Sequence, residues 1–112
     1  MSANPASNDN FVFDPDAMSD GAKAATEFLK AMAHEGRLMI LCRLAEGECS
    51  VTEFEELLSA RQAAVSQQLA RLRLDGVVGT RRDGKSVYYY LQDERVKQFI
   101  PVLYDMFCND EC

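Results

Sequence analysis

The sequence predicts a mostly helical winged helix-turn-helix: four helices, a small β-hairpin and a closing fifth helix, assembled as a dimer. Three observations predict it. Two short amphipathic stretches, 51–59 and 62–75, meet at a tight turn. Two β-prone runs with a Gly-containing loop between them follow directly. A further amphipathic stretch then closes the chain. A helix pair followed by a basic hairpin is a more specific signal than either half.

The elements are read in order. Residues 1–16, polar and irregular with Pro5 and Pro15, are expected to form a flexible arm, and 17–112 the folded domain. The first helix should begin near Ser19 or Asp20 and run to His34, burying Ala25, Phe28, Leu29 and Met32 at helical spacing. Gly36 breaks the run. In the second helix Leu38, Leu41, Cys42 and Ala45 share a stripe, which turns Cys42 to the core, and the helix ends near Gly47. The third, 51–59, presents Phe54, Leu57 and Leu58, and a turn at Ala60 and Arg61 leads to the fourth. That helix buries Val65, Leu69 and Leu72, stops at Gly76, and turns Ser66, Gln67, Gln68, Arg71 and Arg73 outward. The hairpin runs are 77–82 and 86–91, joined through Asp83, Gly84 and Lys85. The last helix starts at Asp93 or Glu94 and carries Val96, Phe99, Ile100, Leu103, Met106 and Phe107, with Pro101 within it. So small a domain has no further layer to cover that stripe. Pairing it with the first helix and with the same helices of a second subunit is the economical solution.

Composition narrows the function. A chain of 112 residues, 47% apolar and 27% charged, is one globular domain. No apolar run approaches the ~18 residues of a membrane span, and MSANPASNDN has no signal-peptide pattern, so a cytoplasmic protein without membrane partners is expected. The net charge of −6 is unevenly spread: residues 61–90 carry +4, and 1–30, 31–60 and 91–112 carry −3, −4 and −3. A basic block on an acidic body fits duplex DNA as partner, although six cations can also be a solvated face. Amides can read adenine, and arginines guanine or phosphate. Arg81, Arg82 and Lys85 at the hairpin tip would meet phosphates. Two reading heads of a homodimer would take a pseudo-palindromic operator. No Ser-His-Asp set, phosphate-binding glycine loop or paired-carboxylate pocket is present, so neither an enzyme nor a cofactor is expected.

The cysteines flank the reader. Cys42 and Cys108 lie in apolar helical stripes on either side of it, which suits a switch in which sulfur chemistry controls DNA occupancy; a thiol can also sit in a core as a small hydrophobe. Cys49 in a loop and Cys112 on the tail read as exposed, inert thiols, and the single His34 as a capping or packing residue. Two other functions stay open. All four thiols together would make a non-standard site for arsenic(III), cadmium or zinc. A dimeric interaction protein that has lost DNA binding is the other.

The stretches AMAHEGRLMILCRLAEGE and RQAAVSQQLARLRLDGVVGTRRDGKSVYYYL resemble the ArsR/SmtB family of dimeric winged-helix repressors, over residues 20 to 108. By that resemblance Gln62, Ser66, Gln67 and Gln68 contact bases or backbone, and Arg71 and Arg73 phosphates. The family's two standard metal sites have no counterpart. Ser50 and Thr52 stand where one site has thiols, and Arg95, Met106 and Asn109 replace three of four ligands of the other, so no metal is expected. The contexts RLMILCRL and LYDMFC resemble its sulfide- and persulfide-responsive branch, the SqrR and BigR type. That likeness implies a Cys42–Cys108 dithiol switch, with reactive sulfur species as inducer and sulfide-detoxification genes as targets.

Overall fold

The structure, a computed structural model, describes residues 10–58 and 62–108, with the side chains of Gln62 and Ala63 outside that description. Residues 1–9 of the expected arm, the turn at Ala60 and Arg61, and Cys112 lie outside the described residues.

Helix α1 (Pro15–Met32) starts earlier than the Ser19 or Asp20 expected. Asp14 is the reason: its Oδ1 accepts from the amides of Asp16 at 3.0 Å and Ala17 at 3.4 Å, and Pro15 supplies a preset φ at the first helical position. The expected buried face is covered only in part, with Ala25 and Phe28 half-buried and Leu29 exposed.

From residue 31 onward the chain builds the core. Helix α2 (Glu35–Glu46) is capped by His34, whose Nδ1 accepts from the amides of Gly36 at 3.1 Å and Arg37 at 3.4 Å, so the capping reading of this histidine stands. It buries Ile40, Leu41 and Leu44. At ~100° per residue, Cys42 lies about 150° from the centre of that stripe. It is half-buried, not turned to the core as the spacing Leu38-Leu41-Cys42-Ala45 implied.

A two-residue strand β1 (Cys49–Ser50) comes next, where the sequence predicts a loop at Cys49. Cys49 is 0% exposed, the opposite of the surface thiol expected. Helix α3 (Val51–Leu58) opens on a capping box: Ser50 Oγ accepts from the Glu53 amide at 3.2 Å, and Glu53 Oε1 from the Ser50 amide at 2.9 Å. Helix α4 (Gln62–Leu74) buries Val65, Leu69 and Leu72. Gly76, at φ +79°, ends it with the Val77 amide on the Leu72 carbonyl and the Gly76 amide on that of Arg73, a Schellman stop closed by two buried apolar side chains.

Strands β2 (Val78–Asp83) and β3 (Ser86–Leu91) form the wing hairpin, with Gly84 at φ +65° opening its two-residue turn. The sheet order is β1-β3-β2, antiparallel throughout. Helix α5 (Glu94–Cys108) is capped by Asp93, whose Oδ1 accepts from the amides of Arg95 and Val96. Its first half enters the core through Val96 and Ile100, alongside Phe54, Leu41 and Leu69. Its second half leaves it: Val102 is 57%, Met106 64% and Phe107 75% exposed, and Cys108 is exposed rather than buried in a stripe. Among the described residues no helix is long and apolar enough to cross a membrane.

Candidate nucleic-acid interface and thiol pair

The pleat sorts the wing's cations onto two faces. In the β2–β3 register Thr80 opposes Tyr89 and Arg82 opposes Val87, while Arg81 opposes Tyr88 on the other side of the sheet. Arg82 and Thr80 therefore face the same way as buried Val78 and Leu91, toward the end of α4. There Arg73, Thr80, Arg82, Val87 and Tyr89, with Val51 and Arg81 also on the lining, bound an open groove of ≈ 470 Å³, which brings a helix cation and wing cations together. Among the described residues Arg73, Arg82 and Lys85 have no carboxylate within ion-pair distance, whereas Arg71 pairs with Asp75 at 3.4 Å on the helix surface.

Arg81 is differently placed. Its Nη2 lies 2.8 Å from Glu48 Oε1, its Nε 2.9 Å from both Glu48 oxygens, and its guanidinium 5.0 Å above the Tyr88 ring. The Arg81 hydrogen bond holds the Glu48 carboxyl below its ordinary value; burial opposes it, and the Arg81 charge adds a lesser pull downward. A depressed folded value means that the pair's contribution is present above the ordinary glutamate value of about 4.3 and is lost as pH falls through the folded one. Carbon-detected titration of Glu48 should therefore give a midpoint below that value in the wild type and a higher one in Arg81→Met. An ordinary wild-type midpoint would refute the pairing in solution.

The reading helix is also tethered. Ser66 and Gln67 are exposed on α4, but Gln68 is half-buried, and Arg37 Nε of α2 donates to its Oε1 at 2.8 Å. Gln62 opens α4, with its side chain outside the description. Sequence reading missed Arg37 and Glu48, because each partner lies more than thirty positions away and leaves no local period.

At the α2–α5 junction, Cys42, Arg43, Ala45 and Glu46 face Ile100, Pro101 and Tyr104 across an open groove of ≈ 490 Å³. Burial pushes the Cys42 thiol up, and the charge of Cys108, four positions beyond Tyr104 on α5, pushes it further in the same direction. Both are free thiols. Cys49, buried within strand β1, is raised chiefly by burial, with Arg43 pulling the other way. Among the described residues no three His, Cys, Asp or Glu side chains gather as a metal site would require.

The sequence and fold are similar to those of known proteins. Residues 34–80 match the family described as bacterial regulatory protein, arsR family. The biofilm growth-associated repressor of Agrobacterium fabrum is 44% identical over 95 residues, which is 85% of this chain and 81% of the relative. The solved structure of the transcriptional repressor BigR from Xylella fastidiosa is 38% identical with a TM-score of 0.79, covering 86% of this chain and 98% of that one. That of reduced HlyU from Vibrio cholerae is 43% identical with a TM-score of 0.77, covering 82% and 97%. The chain belongs to the ArsR family of winged-helix regulators, and it is a DNA-binding transcriptional regulator, not an enzyme.

Proposed function

We propose that this protein is a cytoplasmic homodimeric repressor that leaves its operator when reactive sulfur joins Cys42 to Cys108, derepressing sulfide-detoxification genes. The observation that carries this reading is that Cys42 lines the α2–α5 groove opposite Pro101 and Tyr104, with the exposed Cys108 four positions beyond Tyr104 on the same helix. Relatives named as repressors, and one solved in a form called reduced, add support.

The chemistry balances as follows. Each thiolate attacks the outer sulfur of a low-molecular-weight persulfide, taking one sulfur and expelling the donor's thiolate. One protein persulfide then attacks the other at its cysteine sulfur, forming a three-sulfur bridge and releasing hydrosulfide. Two donor sulfurs enter, one stays in the bridge, and the other leaves reduced by the electrons of the two thiols. Cys108, being exposed, takes its sulfur first; burial leaves Cys42 less thiolate at neutral pH. An ordinary disulfide needs Cα atoms about 4.4–6.8 Å apart, so an added sulfur lets the bridge span a wider gap and favours persulfide over peroxide.

Helix α2 connects the switch to both DNA-contacting parts. It carries Cys42; it holds Gln68 of α4 through Arg37; and Arg43 Nη1 donates to the Gly47 carbonyl at 3.0 Å, beside the Glu48 that grips the wing. A bridge that shifts α2 against α5 therefore acts on reader and wing together. Intact-mass spectrometry after glutathione persulfide, peroxide and oxidised glutathione, run beside operator mobility shifts, tests the reading. Only the persulfide should release DNA, with a mass gain of one sulfur less two hydrogens; release by peroxide alone would reject it.

On the DNA side, Ser66, Gln67 and Gln68 read bases, with Gln62 beside them at the helix start, and Arg71, Arg73, Arg82 and Lys85 hold phosphates. Arg82→Ala and Lys85→Ala should each weaken binding to all sequences and lower the salt slope by about one counterion. Arg81→Ala should change the slope less, because Arg81 is committed to Glu48. Equal slopes for wild type and Arg82→Ala would remove the wing from the phosphate contacts.

A further inference from the structure

We infer that Arg37 is a positioning residue for base readout: by holding the carbonyl of Gln68 it makes that side chain a donor-only reader. The inference rests on α4 being the helix that enters the major groove. A guanidinium has five donors and no acceptor, so the Gln68 atom 2.8 Å from Arg37 Nε must be Oε1. The same guanidinium donates through Nη1 to the Ala31 carbonyl at 3.3 Å, and two anchors fix its plane. Both contacts are part-buried, which limits competition from water.

Reading adenine through one glutamine needs both ends of the amide: the oxygen accepts from adenine N6 and the nitrogen donates to N7. The carbonyl keeps a second lone pair, but it is held in a part-buried contact, and swinging it to the adenine amino group would stretch a charge-assisted bond. Gln68 is left with Nε2 and two N–H donors. Guanine matches best, because O6 and N7 both accept; thymine offers O4, and adenine offers N7 alone beside an amino donor that the held amide leaves unanswered. Gln67 next to it is exposed and keeps the full amide for adenine. The two neighbouring glutamines of α4, identical in chemistry, thus read different bases because only one of them is tethered from α2.

Selection from a library of duplexes with randomised half-sites tests this, with thermal unfolding run on every variant. The wild type should enrich guanine or thymine at one base pair per half-site, and Gln68→Leu should flatten the preference at that pair alone. Arg37→Met, which keeps the apolar stem, frees the amide, and adenine at that pair should rise on the order of tenfold. Arg37→Lys, whose ammonium can donate to the same oxygen, should keep the wild-type preference. Unchanged base preferences in Arg37→Met, with affinity lowered equally for all duplexes, would make Arg37 merely structural and overturn the inference. If Arg37→Met does not fold, the Gln68→Leu comparison decides: an adenine preference in the wild type that this substitution removes overturns it equally. A wild type that selects no sequence overturns the reading of α4 itself, and this inference with it.

Discussion

Cys42→Ser and Cys108→Ser should each bind the operator as the wild type does and stay bound when glutathione persulfide is added. The expected effect is total: a bridge needs both ends, so losing either abolishes release. Neither thiol lies on α4 or in the wing, so DNA affinity before treatment should be unchanged. The two variants should differ in what they retain. Cys42→Ser leaves the exposed Cys108 to take up sulfur as a stable persulfide; Cys108→Ser leaves a half-buried thiol, raised by its surroundings, that reacts slowly. Mass spectrometry with an alkylating trap separates these products. The control at the third thiol is Cys49→Ala, because a serine hydroxyl at that fully buried position, if left without a partner, would cost about 1–3 kcal/mol. Cys49→Ala and Cys112→Ser should release DNA normally. Release of the operator by persulfide-treated Cys42→Ser would replace the dithiol switch with a one-thiol mechanism.

The parts of this molecule written in local periodicity were legible in its sequence. Val65, Leu69 and Leu72 at helical spacing with Gly76 beyond them located α4, and two β-prone runs around Gly84 located the wing. Strand β1 was not legible, because two residues are too few to show an alternation; only pairing with Tyr88 and Tyr89, far along the chain, makes it a strand. Cys49 was misjudged for the same reason. Cys42 and Cys108 were placed correctly on their helices and wrongly in depth. A stripe of apolar residues tells which face is greasy, not whether the chain has anything to lay against it. The Arg37–Gln68 and Arg81–Glu48 contacts join residues 31 and 33 positions apart, and pairs of polar residues so distant carry no spacing signal. They nonetheless decide which of the cations and amides are free to meet DNA, and chemistry read from residue types alone treats them all alike.

Phe107→Asp should convert the dimer to monomers and take most of the operator affinity with it. The second half of α5 presents Val102, Met106 and Phe107 largely to solvent within one subunit. An apolar patch of this kind on a small domain marks an interaction surface, and a two-fold seam is the simplest closed one. Phe107 is the better probe than Leu103, which is half-buried in its own subunit, so that a charge there would damage fold and interface together. At 75% exposure Phe107 contributes little to the core, and the melting temperature of the separated subunit should hold. In the dimer the substitution places two carboxylates in one apolar seam, and about 3 kcal/mol of lost association is roughly a hundredfold in dissociation constant. Sedimentation velocity at micromolar concentration should show the wild type as a dimer and Phe107→Asp as a monomer. A monomer has one reading head, so its salt slope on the operator should fall to about half and its preference for paired half-sites should disappear. A Phe107→Asp protein that still sediments as a dimer would move the seam off this end of α5, and with it the account of how two wings reach one operator.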